Sequence, residues 1–373
     1  MSFGQTDRKY IPVYEPKIGE REQAYVTECL KTKWISSRGH FVKDFEDSFA
    51  TYLGTKHAVS LCNGTVALHL ALAVLGIGQG DEVIVPTLTY VASANAIRYV
   101  NATPVFADSH PAYWNLDPGK IEERIGPRTK ALIAVHLYGH PCDMDPILKI
   151  AREHDLFVVE DVAEAHGAQY KGRKLGTFGD IAAFSFYANK IITTGEGGMV
   201  VTNDSTLADR CFSLRNQGVS KTRTYWHDTL GYNYRMTNIC AAIGLAQLER
   251  VSETIARKRD IARLYKTKLE HTRGLVTQGE ESWAFSVYWM FSILVSPEKR
   301  DLLRRYLEDR AVETRPFFYP AHMMPIYLNY NTQGFPVAER ISASGINLPS
   351  APTLANDEIE RVCDDINGFL GKC

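Results

Sequence analysis

The sequence predicts an α/β protein in which a mostly parallel sheet is flanked by helices, followed by a smaller C-terminal α+β domain. From about Lys56, short β-branched runs alternate with amphipathic stretches of 3.6-residue period. The 373 residues, 45% of them hydrophobic and 23% charged, suffice for one large domain and a smaller one. Beyond Arg235, two long helical patterns carry the chain out of the first domain. We therefore expect a large domain over residues 1–245 and a small domain over residues 246–373.

The predicted elements follow from the spacing of apolar residues. Strands are expected at His57–Leu61, Glu82–Pro86, Thr103–Ala107, Ala131–Leu137, Leu156–Glu160, Ile181–Tyr187 and Met199–Thr202. Helices are expected at Val66–Leu75, Met144–His154, Ile239–Arg250 and Glu253–Leu269. The small domain should contain the aromatic-rich segment Trp283–Val295, helical Lys299–Arg310, extended Val312–Pro320 and a last helix, Asp357–Leu370.

Composition and charge argue against several classes of protein. Lys and Arg total 42 against 43 for Asp and Glu, and a net charge of −1 gives no basic field for nucleic acid or an anionic membrane. The segment Met1–Pro12 is polar, and no uninterrupted apolar run reaches the ~18 residues of a membrane span, so we expect a cytoplasmic protein.

The cysteines and histidines predict neither disulfides nor a metal site. The seven cysteines occur singly, with an odd count and no CxxC pair, so free thiols are expected. Their positions are Cys29, Cys62, Cys142, Cys211, Cys240, Cys363 and Cys373. His136, His140 and Cys142 are close in sequence, but no second ligand pair of zinc spacing accompanies them. Loop and core packing is the expected role of these three residues.

Lys190 is a candidate for covalent catalysis. It follows the apolar run 181–187 and precedes the glycine-rich segment Thr194–Gly198. Such a strand delivers an amine to the carboxyl edge of a sheet, where open α/β folds place their ligands. Desolvation lowers the pKa of an amine there toward the nucleophilic form that reacts with a carbonyl cofactor. An isolated lysine in this position is more often exposed, so the prediction depends on other segments.

Two further segments offer an anion site and a carboxylate. Asn63–Leu68 follows a strand and opens a helix, so unpaired N–H groups and the helix dipole favour a phosphate there, although Asn, Gly and Thr also cap ordinary helices. Glu160 and Asp161 end an apolar strand, and one of them should face the cleft. A buried carboxylate needs a cationic partner such as a protonated pyridine nitrogen, whereas helix capping is the alternative for Asp161.

Two aromatic segments complete the pattern. Tyr90 lies where a strand gives way to a helix, and its ring could stack on a flat cofactor or belong to the core. Gly231–Thr237 combines an amide, a guanidinium and aromatic rings before a long helix, which suits an anionic group or a packed hinge. A strand-end Lys, a strand-end Asp, a phosphate site and a stacking ring are the parts that a pyridoxal phosphate site requires.

With these parts identified, the sequence from about Ile11 to the C-terminus resembles the DegT/StrS family of nucleotide-sugar aminotransferases, which have the fold-type I architecture of pyridoxal-phosphate-dependent aminotransferases. The resemblance is carried by Trp34-Ile-Ser-Ser, Ser185-Phe-Tyr-Ala-Asn-Lys190, Thr194-Gly-Glu-Gly-Gly198 and Gly231-Tyr-Asn-Tyr-Arg-Met236. Within the family, three segments are most similar to members that act on GDP-4-keto-6-deoxymannose. These segments are Val135–Asp145, Tyr225–Asp228 and Glu313–Pro316.

The resemblance implies a role for each cofactor-binding residue. Lys190 would form a Schiff base with pyridoxal 5'-phosphate, Asp161 would pair with the pyridine nitrogen, and Tyr90 would stack on the ring. Glu164 would lie beside the phenolic oxygen, where many relatives have Gln. Asn233 would reach the phosphate of the neighbouring subunit's cofactor, which implies a homodimer with shared sites. The phosphate in the same subunit would be held by Gly64, Thr65 and Ser185.

The implied reaction transfers an amino group from L-glutamate, through pyridoxamine phosphate, to C4 of GDP-4-keto-6-deoxymannose, giving 2-oxoglutarate and an amino sugar for O-antigen or other surface polysaccharide. Recognition of the nucleotide sugar is spread over loops. The candidate substrate-binding residues are Trp34, Ser36, Tyr225, Arg315 and His322. For Arg315 and His322, surface salt bridging is the alternative.

Three other functions stay open at this point. The same fold could aminate another nucleotide-linked keto sugar. Related enzymes that remove the C3 hydroxyl of the keto sugar have histidine in place of the Schiff-base lysine, so Lys190 argues against this lyase chemistry. A regulator that keeps the fold without catalysis is disfavoured by the presence of Lys190, Asp161 and Thr65.

Overall fold

The computed structural model describes residues 8–330 and 333–371, so Cys373 and the first seven residues lie outside the described part. Its α-helices are α1 Glu20–Thr32, α2 His40–Leu53, α3 Gly64–Val74, α4 Ala92–Tyr99, α5 Met144–Glu153, α6 Ser205–Arg215, α7 Asn238–Glu249, α8 Val251–Leu269, α9 Pro297–Glu308, α10 Pro336–Ser344 and α11 Asn356–Leu370. Its strands are β1 His57–Leu61, β2 Glu82–Pro86, β3 Thr103–Ala107, β4 Thr129–Val135, β5 Phe157–Asp161, β6 Gln169–Tyr170, β7 Arg173–Lys174, β8 Ile181–Ser185, β9 Gly198–Thr202, β10 Val276–Thr277, β11 Ala284–Phe285, β12 Phe291–Leu294, β13 Arg315–Pro316 and β14 Gly345–Leu348.

A seven-stranded sheet in the order β1-β9-β8-β5-β4-β2-β3 organises the large domain. Within it β9 is antiparallel to both neighbours, and the remaining strands run in one direction. Helices pack against it, α3 on β8 and β9 and α5 on β5. The predicted α/β class, with a mostly parallel sheet flanked by helices, is confirmed.

The predicted strand ends agree with the structure where a buried run stops at a polar turn. β1, β2 and β3 have the predicted bounds. β4 ends at Val135, two residues before the predicted end, because the next residues fold into a buried 3-10 turn at Leu137–Gly139. β8 ends at Ser185, and a loop stabilised by the hydrogen bond from Phe186 N to Gly197 O connects it to β9.

A four-stranded antiparallel sheet, β10-β12-β14-β13, lies in the C-terminal part of the chain. It shares a hydrophobic core with α8, α9 and α11, to which Ile346, Leu303 and Val362 belong. Ile11 also packs in this core, while Trp289 packs in the core of the large sheet. The domain division at residues 245 and 246 therefore stays a prediction, because segments from both sides of it contribute to both cores.

Two global features bear on function. No helix among the described residues has both the length and the apolar character that crossing a bilayer requires. The cysteines of the described part are free thiols: Cys29, Cys62, Cys142, Cys211, Cys240 and Cys363.

Candidate active site

A cavity of about 790 Å³ opens at the carboxyl edge of the large sheet. Its walls come from loops that follow β1, β2, β4, β5 and β8, which is where parallel strands direct their ends. The volume lies in the range of small-molecule and cofactor sites. The cavity brings together these predicted cofactor residues: Gly64, Thr65, Tyr90, Asp161, Glu164, Ser185 and Lys190.

Lys190 lies in the loop between β8 and β9, where its N–H donates to Tyr187 O over 2.9 Å. Its side chain is buried, with Nζ 3.8 Å from the centre of the Trp289 ring and 3.7 Å from Glu164 Oε1. Burial lowers the pKa of the Lys190 amine, and the nearby carboxylates oppose this shift only in part. The amine is therefore shifted toward its neutral, nucleophilic form.

Asp161 and Glu160 point in opposite directions, as adjacent residues of a strand must. Asp161 faces the cavity, where the Ser93 hydroxyl donates to it over 2.7 Å and the Ala163 N–H over 3.1 Å. Burial raises the pKa of Asp161, although these hydrogen bonds partly offset the shift. A cation placed next to Asp161 in the cavity would lower the pKa of this carboxyl group and favour its ionised form.

Glu160 is a structural carboxylate. Burial disfavours its charge, but a hydrogen bond with His136 and N–H donors in the loop 176–179 outweigh this effect and hold the pKa of Glu160 below its usual value. The donors are Gly176 N, Phe178 N and Gly179 N, at 2.9, 2.7 and 2.8 Å. Of the two strand-end carboxylates, Asp161 is thus the one available to a ligand.

Glu164 is a second buried carboxylate in the cavity. Its Oε2 accepts from the Tyr138 N–H over 2.8 Å, and its Oε1 faces Lys190. Burial raises the pKa of Glu164 to about 7. Near neutral pH this group can therefore either donate or accept a hydrogen bond.

The start of α3 forms a close-packed cradle. The Asn63 side chain accepts from Val66 N over 3.0 Å and caps the helix. A Cβ added at Gly64 would lie 2.5 Å from Ser185 Cβ, so the first turn of α3 rests directly on the end of β8. The first N–H groups of a helix lack intrahelical partners and favour an anion at this position.

The upper wall of the cavity is aromatic. The exposed Tyr90 ring lies 5.6 Å from the ring of Phe318, centre to centre. Arg315 lines the same wall and forms an ion pair of 3.6 Å with Glu313. Of the predicted substrate-binding residues, Arg315 is the one that lines this cavity.

The other predicted residues lie elsewhere. Asn233 is exposed and pairs through its backbone with Asn216. Trp34, Ser36 and Tyr225 are exposed, Tyr225 to 93%. His322 is buried behind the cavity wall, where Thr87 and Glu339 are its partners at 2.7 and 3.2 Å.

Sequence reasoning missed three residues that shape the site. Ser93 orients Asp161, Tyr138 donates its N–H to Glu164, and Trp289 lies over the Lys190 amine. Ser93 sits in the segment that carries Tyr90 and could have been suspected. Trp289 belongs to a distant segment, and only the tertiary fold brings it to Lys190.

His136, His140 and Cys142 hold the loop after β4. Cys142 N donates to His136 Nδ1 over 3.0 Å, and Cys142 Sγ donates to Val135 O over 3.1 Å. Burial lowers the pKa of His140 to about 4. Among residues 8–330 and 333–371, no group of His, Cys, Asp and Glu has the arrangement of a metal site.

The sequence model of the DegT/DnrJ/EryC1/StrS aminotransferase family matches residues 16–367. The chain belongs to this family. Among similar family members, GDP-perosamine synthase of Escherichia coli O157:H7 is 54% identical over 363 residues, which cover 97% of this chain and 99% of that protein. GDP-perosamine synthase of Vibrio cholerae is 48% identical over 366 residues, covering 96% of this chain and 99% of that one.

The fold agrees with this family. The crystal structure of the aminotransferase TlmJ from Streptoalloteichus hindustanus has a TM-score of 0.92 and 35% sequence identity, covering 96% of this chain and 98% of TlmJ. The cavity at the strand ends therefore belongs to a fold that this chain shares with a solved aminotransferase.

Proposed function

We propose that this chain transfers an amino group from L-glutamate to C4 of GDP-4-keto-6-deoxy-D-mannose, giving GDP-perosamine and 2-oxoglutarate. It is a pyridoxal-phosphate-dependent nucleotide-sugar aminotransferase. The buried Lys190 amine, held among carboxylates at the carboxyl edge of the sheet, carries the catalytic part of the proposal. The choice of sugar is supported by the 54% identity to the Escherichia coli GDP-perosamine synthase over nearly the whole chain.

The residues of the cavity fit pyridoxal phosphate. The cradle at Gly64, Thr65 and Ser185 suits a phosphate, because helix N–H groups and a hydroxyl meet there without a side chain at Gly64. Asp161 suits a protonated ring nitrogen, since a buried carboxylate is stabilised by an adjacent cation. Tyr90 offers a face for the ring.

Each residue then has a defined part in the reaction. The bound cofactor supplies a carbonyl for amine exchange and a ring that accepts electrons from the reacting carbon. Asp161 would pair with the ring nitrogen and favour its protonated form. Lys190 would hold the cofactor through its amine and, as a neutral amine, would accept and return the proton of the reacting carbon. Glu164 would form a hydrogen bond with the phenolic oxygen of the cofactor, as donor or acceptor according to its own protonation state.

A homodimer with shared sites belongs to the same proposal. Asn233 is exposed and does not line the cavity of its own chain, which leaves it free to reach the phosphate in the partner's site. A cytoplasmic location is also proposed, because the described cysteines are unpaired thiols, as a reducing compartment maintains them. The amino sugar would enter O-antigen or another surface polysaccharide.

A panel of GDP-, UDP- and dTDP-linked 4-keto-6-deoxy sugars, each supplied with glutamate, tests the proposal through the release of 2-oxoglutarate. We expect kcat/KM for the GDP-linked mannose derivative to exceed the others by ~10²-fold or more, because a wrong base leaves buried hydrogen-bonding groups unpaired. Lys190→Ala is the control, and it should lose turnover while keeping the fold. A faster reaction with another nucleotide sugar would reassign the substrate.

A further inference from the structure

The buried lysine at position 258 has no part in the chemistry described above. Lys258 lies on α8, is 1% exposed, and donates from Nζ to Trp289 O over 2.8 Å and to Ser350 O. Burial lowers the pKa of Lys258 to about 7. An apolar side chain of the same length would fill this position without the cost of burying an ammonium, so its hydrogen bonds need an explanation.

One hydrogen-bonded route leads from Lys258 to the active-site loop through Trp289. Lys258 holds the Trp289 carbonyl, and the Trp289 indole N–H donates to Asn189 O over 2.6 Å. The ring of the same Trp289 covers the Lys190 amine at 3.8 Å. The position of one indole therefore affects both the backbone before Lys190 and the amine itself.

A second route leads through Ser350 and the N-terminal segment. Ser350 O accepts from Lys258, and Ser350 N donates to Val13 O over 2.9 Å. The next residue, Tyr14, donates its hydroxyl to Lys190 O over 2.8 Å. Lys258 Nζ also lies 5.4 Å from the centre of the Tyr14 ring.

The two routes start at the amino group of Lys258 and end on consecutive carbonyls, those of Asn189 and Lys190. We infer that Lys258 is a positioning residue for the reaction: it fixes Trp289 and Tyr14 and thereby aims and desolvates the Lys190 amine. The inference rests on the proposed function only in assigning Lys190 to the cofactor. It does not depend on which sugar is aminated.

Lys258→Met tests this role, because methionine keeps an apolar stem of similar length but removes the amino group that donates to Trp289 O and Ser350 O. In the holoenzyme, the pH titration of the cofactor's visible absorbance should move to higher pH by at least ~0.5 unit. The reason is that water entering beside Lys190 would stabilise the protonated form of the nitrogen that joins Lys190 to the cofactor. Amide hydrogen exchange in the segments 187–193 and 286–290 should accelerate at least about threefold as the local structure loosens.

Lys266→Met is the matched control. Lys266 lies on the same helix, and its Nζ donates over 2.8 Å to the hydroxyl of Tyr288 rather than to either route. It should lower stability without moving the absorbance titration. The positioning role would be overturned if the Lys258→Met holoenzyme folds and shows neither a shifted absorbance titration nor faster hydrogen exchange in the two segments. An incorrect sugar assignment would appear only in the panel of keto sugars.

Tyr14→Phe keeps the test decisive if Lys258→Met fails to fold. This variant removes only the hydroxyl that donates to Lys190 O, so the ring beside Lys258 stays in place. The absorbance titration should move in the same direction by a smaller amount, with faster exchange in the segment 187–193. No movement in either measurement would overturn the second route and, with it, the role of Lys258 as a junction.

Discussion

At the residue level, the proposed pairing of Asp161 with the ring nitrogen of the cofactor can be tested by removing the carboxylate. Asp161→Ala should lower kcat at least ~10²-fold, the low end for losing a positioned proton-handling group. Ser93→Ala, which removes one of the hydrogen bonds to Asp161, should have a much smaller effect. The measurement is the steady-state kcat of both variants. A kcat for Asp161→Ala within a few-fold of wild type would mean that another residue holds the ring nitrogen.

Glu164 should make the stability of the cofactor-free protein depend on pH. Its folded pKa of about 7 lies above the usual value of 4.5, so the folded state binds more protons between these pH values. Its contribution to stability is therefore complete below about pH 4.5 and is lost as pH rises toward 7.

Glu164→Gln isolates this contribution, because glutamine does not titrate and can still accept from Tyr138 N. Urea unfolding at several pH values should show that the stability of wild type relative to the variant decreases from pH 4.5 to 7 and then levels off. A constant difference across this window would contradict a raised pKa for Glu164.

At the scale of elements, the first turn of α3 should determine how firmly the phosphate is held. In Gly64→Ala the new Cβ would lie 2.5 Å from Ser185 Cβ, so α3 must shift away from β8. We expect cofactor affinity, measured by titration of its absorbance, to fall at least ~10-fold, or about 1.4 kcal/mol. Gly78→Ala is the control, because a Cβ there would lie 3.9 Å from Val100 O, an ordinary van der Waals contact. Equal cofactor affinities in the two variants would argue against the phosphate cradle.

The strands and the strand-end residues could be predicted because buried parallel strands appear as short apolar runs, with functional groups just after them. This is how Lys190 and the carboxylate pair Glu160 and Asp161 were found, whereas the choice of Asp161 came from the family resemblance. The antiparallel direction of β9 could not be read from its composition, since an apolar strand has the same pattern in either direction. The 3-10 turn after β4 was also missed, because its residues, such as Leu137 and Tyr138, are buried and extend the apolar run of the strand.

Contacts between distant segments were beyond the reach of sequence patterns. Trp289 approaches Lys190 only because the C-terminal part folds back over the sheet edge. Within the family resemblance, His322 was chosen as a substrate contact, yet it is buried beside Thr87. Its role, like those of Trp34, Ser36, Tyr225 and Asn233, stays a prediction.

For the whole molecule, the proposed sharing of active sites between two subunits predicts complementation between defective chains. Lys190→Ala and Asn233→Ala chains, refolded together, should form some dimers with one undamaged site, so activity should reappear on mixing. Each variant alone must first be shown to be strongly impaired. Absence of recovery in verified mixed dimers would assign Asn233 to the site of its own subunit.

The proposed activity is the movement of nitrogen from glutamate to C4 of a GDP-linked sugar. Incubation of the holoenzyme with nitrogen-15-labelled glutamate and GDP-4-keto-6-deoxymannose, followed by NMR of the purified sugar nucleotide, measures this transfer directly. We expect the label on C4 of GDP-perosamine, with one 2-oxoglutarate released per sugar. A 3-deoxy product formed without labelled nitrogen would contradict it, as would faster labelling of a UDP-linked sugar.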